Sequence, residues 1–186
     1  MEDIDFYLEH AQELMDKSVE HAASELSKIR AGKAMPNMLD GIEVEYYGSM
    51  TPLNQVASVN TPDARTLMIK PWEKNMLNEI ERAIINSDLG LNPQNDGEII
   101  RINIPTLTEE RRKNLVKQAK QEAENGKVSI RNVRKDTNDH LKKLLKEGVS
   151  EDQVKSAEDD VQKMTDEHTA RIDTLLESKE KDIMTV

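Results

Sequence analysis

The sequence predicts an α+β fold: an elongated antiparallel three-helix bundle carrying a small inserted β/α/β domain, the two joined by a two-stranded hinge. Three observations predict it. Apolar residues recur at steps of three and four in three long segments, the first at the N-terminus and the other two after Pro105. All six prolines and five of the seven glycines fall between Gly32 and Pro105, where the pattern shortens to strand-like alternation. The break around Gly148 is short enough to force the second and third helices to lie antiparallel.

In the first segment, residues 2–30, Ile4, Leu8, Ala11, Met15, Val19, Ala22, Leu26 and Ile29 form a coiled-coil-like seam uninterrupted by Gly or Pro. The middle segment begins its strands with Ile42–Tyr46, and Tyr47-Gly48-Ser49 reads as the following turn. Val56–Val59, Thr66–Lys70 and Ile99–Ile104 are further strands. Trp72–Ser87, with Met76, Ile80, Ile84 and Ile85, reads as a helix between them. Asn92-Pro93 and Asn95-Asp96-Gly97 are turn chemistry.

A second long helix starts near Thr108, whose hydroxyl suits an N-cap, with Glu109 and Glu110 at the positive helix end. Gly148 suits a left-handed C-terminal cap. Ser150-Glu151-Asp152-Gln153 is a capping box opening the third helix, whose seam is Val154, Ala157, Val161, Met164, His168, Ile172 and Leu175. No single helix can bury its own seam, so residues 1–30 and 106–186 are expected to form the bundle and 31–105 the inserted domain. Ala31, Gly32, Ile104 and Pro105 then form the hinge.

Composition narrows function. One Phe, one Trp and three Tyr are too few to line a large ligand cavity or a base-stacking platform. Without cysteine there is no disulfide, thiolate nucleophile or Cys-ligated metal. His10, His21, His140 and His168 show no metal-ligand spacing, and His168, on the third seam, reads as a structural residue. Glu158-Asp159-Asp160 reads as a solvated acidic face rather than a cation site. No phosphate-binding loop or nucleophile elbow is present. The expectation is a non-enzymatic, cytoplasmic monomer without catalytic residues, metal, cofactor, small-molecule substrate or membrane attachment.

The charge pattern is the informative feature. Arg111–Lys146 holds twelve Lys/Arg against four Asp/Glu, about +8 in a chain of net charge −10, leaving −18 elsewhere. On a helix at 100° per residue, Lys113, Lys117, Lys120, Lys127, Arg131, Arg134, Lys135, Lys142 and Lys146 occupy a sector of about 120°. Leu115, Ala119, Ala123, Ile130, Val133, Leu141, Leu144 and Leu145 form a separate apolar seam. Of the acids only Glu124 intrudes on the basic sector. A solvated face mixes signs; this one does not. A membrane surface would want aromatics on the apolar side, and an acidic protein partner would rarely need a stripe roughly 50 Å long. Phosphates along a structured nucleic acid fit best, recognised by shape and position.

Seven stretches carry a more specific likeness: Ser27–Ala34, Val44–Gly48, Thr51–Leu53, Ser87–Pro93, Thr108–Lys113, Arg131–Asp136 and Asp159–Lys163. In this order and spacing the chain closely resembles the bacterial ribosome recycling factors over essentially its whole length. The resemblance implies a hinged two-domain molecule with the dimensions of tRNA. It implies action on post-termination ribosomes with elongation factor G, whose GTP hydrolysis helps split the subunits. The bundle would lie against large-subunit rRNA. Arg134 matches the motif's main rRNA-contacting arginine, with Arg131 and Lys135 flanking it, and Arg30 matches a ribosome-facing position near the hinge. Lys33 and Lys135 stand where the motif often has Arg. The expected contact set is therefore Arg134, Arg131, Lys135, Arg30, Lys33, Lys127, Lys120, Lys117 and Lys113.

Overall fold

The computed structural model describes residues 2–185; the outermost positions of the expected bundle, Met1 and Val186, lie outside the described residues. In chain order the elements are α1 (Glu2–Lys28), β1 (Glu43–Tyr46), β2 (Ser49–Pro52), α2 (Leu53–Val56), β3 (Ala57–Asp63), β4 (Thr66–Pro71), α3 (Leu77–Ile85), β5 (Pro93–Asn95), β6 (Ile100–Asn103), α4 (Glu109–Lys146) and α5 (Glu151–Met184). They divide into two compact units. One comprises the chain up to Ala31 together with the chain from Glu109; the other is Gly32–Thr108.

In the larger unit each of α1, α4 and α5 packs on the other two. The seams meet in one apolar cluster that includes Met15, Val19 and Ala22 from α1, Ala123, Ile130 and Leu141 from α4, and Val161 and Ile172 from α5. Full burial of each large member contributes about 1.5–3 kcal/mol. Leu145, expected in the α4 seam, is instead 37% exposed, because one step beyond Leu144 turns its side chain about 100° away from the core. α1 ends two residues before the expected position 30, although Ile29 remains buried.

The α4–α5 turn follows from its sequence. Gly148 adopts φ +96°, its N–H bonds to the Leu145 carbonyl at 3.3 Å, and the Val149 N–H reaches Leu144 at 3.1 Å. These are the two bonds of a Schellman cap, and Val149 also packs into the apolar cluster. Ser150 then caps α5: its hydroxyl oxygen accepts from the Gln153 N–H at 3.3 Å and its O–H donates to the Gln153 side-chain oxygen at 3.1 Å. The Gln153 side chain thus returns to the cap's hydroxyl.

The three helices pack closely around Gly126 of α4, which is buried. A Cβ placed there would lie 2.9 Å from Ile172 Cδ1 and 3.0 Å from Ala22 Cβ. Around His168, 2% exposed, a polar cluster ties α5 to α1. Its Nδ1–H donates to the Met164 carbonyl at 2.6 Å, and Nε2 lies 2.8 Å from Asp16 Oδ1. Arg171 donates to the same carboxylate oxygen at 2.9 Å. Hydrogen bonds from His168 first, and Arg171 second, hold the Asp16 carboxyl below the usual aspartate range.

The smaller unit contains a four-stranded antiparallel sheet in the order β3-β4-β6-β5 and a separate hairpin, β1-β2. On β4 and β6 Leu67 pairs with Ile102 and Ile69 with Ile100, and all four are fully buried. Ile80 and Ile84 of α3 are buried in the same cluster. The hairpin loop Tyr47-Gly48 has φ +46° and +82°, the sign that a tight two-residue turn requires at both positions. Both neighbouring tyrosine hydroxyls, Tyr46 and Tyr47, donate to Glu73 at 2.9 Å. The sequence reading misses β2 and β5. Pro93-Gln94-Asn95, taken as part of a turn, pairs as a strand because it sits at the sheet edge, where a missing proline N–H costs no ladder bond. Asn95 and Asp96 do cap the adjoining turn by accepting the N–H groups of Gly97, Glu98 and Ile99. The helix expected from Trp72 is shorter, a tight turn at Lys74–Met76 leading into α3.

Candidate nucleic-acid interface

α4 starts at Glu109, directly after Thr108, and runs unbroken to Lys146. That continuity decides the geometry of the basic residues, since a single uninterrupted helix keeps all nine stripe positions on one side. Ile130, Leu141 and Ala119 are fully buried while Lys113, Lys117, Lys120, Arg131, Lys135, Lys142 and Lys146 are exposed and Lys127 and Arg134 half-buried. Burial of the seam therefore presents the stripe to solvent.

The stripe is not uniform. Its inner row, Lys120, Lys127 and Arg134, recurs every seven residues and faces α5. Lys120 lies 3.8 Å from Glu180, Lys127 is ion-paired with Asp173, and Arg134 donates to the Gln162 side-chain oxygen at 3.5 Å. Within α4, Arg131 binds Glu124, the one acid inside the stripe, at 2.6 Å, and Lys113 binds Glu109 at 3.2 Å. Among the described residues no carboxylate lies within ion-pair distance of Lys117, Lys135, Lys142 or Lys146. These four, together with Arg134, whose partner Gln162 is neutral, are the stripe cations whose charge no carboxylate cancels.

Arg30 and Lys33 lie elsewhere. Arg30 is exposed just beyond α1, in the larger unit, whereas Lys33 is half-buried in the smaller one. Neither is on α4. Of the expected hinge residues, Ile104 is buried in the small unit's core, and its N–H bonds to the Arg65 carbonyl at 2.7 Å. The Ala34 N–H bonds to the adjacent Ala64 carbonyl at 2.8 Å, so both chain connections are pinned to one β3–β4 turn. Gly32 adopts φ +73°, and a Cβ there would lie 2.6 Å from Leu107 Cγ. Pro105 is exposed.

The α5 partners Gln162, Asp173 and Glu180 escaped the sequence reading. Naming them needs the α4–α5 register, which sets positions 120, 127 and 134 against 180, 173 and 162. Among the described residues, no group of three or more His, Asp or Glu is disposed to hold a metal ion, and no helix is long and apolar enough to cross a membrane.

Known proteins match the chain, with its basic-faced long helix and its α+β unit, along its whole length. The family model for ribosome recycling factor matches residues 22–184. This chain belongs to the ribosome recycling factor family. It is 60% identical over 186 residues to the ribosome-recycling factor of Amoebophilus asiaticus, covering 100% of both chains. To that of Clostridium perfringens it is 55% identical over 180 residues, 96% of this chain and 97% of the relative. A solution structure of the ribosome recycling factor matches with a TM-score of 0.76 at 36% identity, covering 100% of both chains. Another match belongs to models of the T. thermophilus ribosome recycling factor and the E. coli elongation factor G bound to the E. coli post-termination complex. Its TM-score is 0.63 at 49% identity, covering 98% of this chain and 99% of that one. Family membership agrees with the α+β architecture and connects the protein to ribosome recycling in protein biosynthesis.

Proposed function

We propose that the protein binds the post-termination ribosome through large-subunit rRNA, using the basic face of α4. With elongation factor G and its GTP hydrolysis, it promotes subunit dissociation and release of the ribosome from mRNA. The observation that carries this reading is the segregation of charge: a strongly acidic chain concentrates its positive charge along one exposed helix face. Phosphates spaced along folded RNA complement such a face, and the relative bound with elongation factor G to a post-termination complex supports the choice of RNA. Arg134, Arg131 and Lys135 form its centre, with Lys113, Lys117, Lys120 and Lys127 toward the start of α4. Arg30 and Lys33 act as separate contacts flanking Ala31 and Gly32. Movement at the two connections, residues 31–32 and 104–105, accompanies subunit splitting. The protein contributes binding and displacement, while the bond-breaking chemistry belongs to the partner GTPase.

Arg134→Glu tests this directly. Cosedimentation with purified large subunits should be lost while the helical circular dichroism is retained. Splitting of post-termination ribosomes by elongation factor G and GTP should fail in the same variant. Binding equal to wild type would remove Arg134 from the interface.

A further inference from the structure

The inner row of the stripe lies along α5. Lys120, Lys127 and Arg134 each meet an oxygen of α5, from Glu180, Asp173 and Gln162 in turn. Two of those three oxygens are carboxylates, which offer a cation the same negative, hydrogen-bond-accepting surface that a phosphate offers. Lys127 is enclosed, its side chain only 21% exposed, whereas Asp173 is 54% exposed. A phosphate approaching this row meets a cation already neutralised and an uncovered negative charge beside it. Among the described residues, the outer positions Lys117, Lys135, Lys142 and Lys146 have no such counter-charge.

We infer that Asp173 and Glu180 are built-in competitors for phosphate, weakening the contacts of Lys127 and Lys120 so that rRNA is gripped mainly through Arg134 and the outer row. The affinity of the protein for rRNA is then set below what the charge of α4 alone would give. This rests on the rRNA-binding reading of α4. The physical basis is an exchange: Lys120 and Lys127 can contact a phosphate only by leaving their carboxylates, and each vacated carboxylate then repels the RNA. Each pair keeps one well-exposed member, Lys120 at 64% and Asp173 at 54%, so solvent screening keeps its contribution to fold stability small and the bundle should survive loss of the carboxylates.

The test measures binding of the full chain to purified large ribosomal subunits across a salt series, with circular dichroism confirming each fold. Asp173→Asn with Glu180→Gln should tighten binding by up to about fivefold per carboxylate removed. It should also steepen the log–log salt dependence by about 0.7–0.9 for each new phosphate contact. Adding Lys120→Gln and Lys127→Gln should cancel that gain. In the otherwise wild-type chain Lys135→Gln should weaken binding, and Lys127→Gln should weaken it too unless Asp173→Asn is also present, because the uncovered carboxylate repels the RNA. A control with the same change in net charge, Asp5→Asn with Glu9→Gln on α1, should have a smaller effect. Unchanged or weaker binding by the Asp173→Asn, Glu180→Gln protein, or an equal gain in the α1 control, overturns the inference. Loss of the underlying rRNA reading would look different: the wild-type chain would show no salt-dependent binding, and Lys135→Gln would have no effect.

Discussion

Replacing Gly126 by alanine separates helix propensity from helix packing. On an exposed helix surface the change would stabilise by about 1 kcal/mol, because glycine loses more backbone entropy. Here the new methyl would stand 2.9 Å from Ile172 Cδ1 and 3.0 Å from Ala22 Cβ, against an ordinary carbon–carbon separation of about 3.5–4.0 Å. Ile172 can rotate its terminal methyl away. Ala22 cannot, so α1 must move relative to α4. Overpacking of this kind costs about 1–3 kcal/mol, leaving Gly126→Ala destabilised by about 1 kcal/mol, or about 2–4 °C in the midpoint for a chain of this size. The assay is thermal and urea unfolding followed by helical circular dichroism, completed as a cycle with Ile172→Val. That second change costs about 0.5–1.5 kcal/mol alone. In the Gly126→Ala background it should cost distinctly less, because it removes the clashing carbon. An increase in stability on Gly126→Ala, or additivity with Ile172→Val, would refute close packing of the three helices at this point.

The remaining predictions concern polar and backbone features. Because the folded Asp16 carboxyl titrates below its unfolded value, the unfolded chain binds more protons in that range. Its stabilisation is complete above the unfolded aspartate pKa of about 3.9 and is lost as pH falls through the folded value. Asp16→Asn should therefore flatten the acid limb of bundle stability measured by urea unfolding at a series of pH values. Gly32→Ala should cost more than 1 kcal/mol, since it combines a left-handed backbone with a 2.6 Å approach to Leu107; a melting midpoint equal to wild type would contradict that geometry. Ser150→Ala should destabilise by about 1 kcal/mol through loss of the α5 cap, with fraying visible as faster amide exchange at Gln153.

How much could be read in advance differs between the two units. The three seams, the Gly148 cap and the Ser150 cap were legible because helix periodicity and end signals are local, repeated over many turns. Leu145 does not belong to the seam: at 100° per residue it already points about 100° away from Leu144, toward the basic side. In the smaller unit β2 and β5 were not legible. Strands of three or four residues are defined by backbone pairing with β1 and β6 rather than by their own side chains. His168 was read as structural, but its partners Asp16 and Arg171 could not be named without the α1–α5 register.

The basic stripe shows the same division. The sequence by itself determined that nine cations share one side of α4 and that an apolar seam lies beside them, because a continuous helix fixes angle from spacing alone. Only the tertiary structure decided which of those charges remain available. Placing α5 antiparallel against the seam brings Asp173 and Glu180 beside Lys127 and Lys120 and leaves Lys117, Lys135, Lys142 and Lys146 without carboxylate partners. The reason is physical: a side chain's angle on its own helix is a local property, but its charge is cancelled by whatever the neighbouring helix presents across the interface.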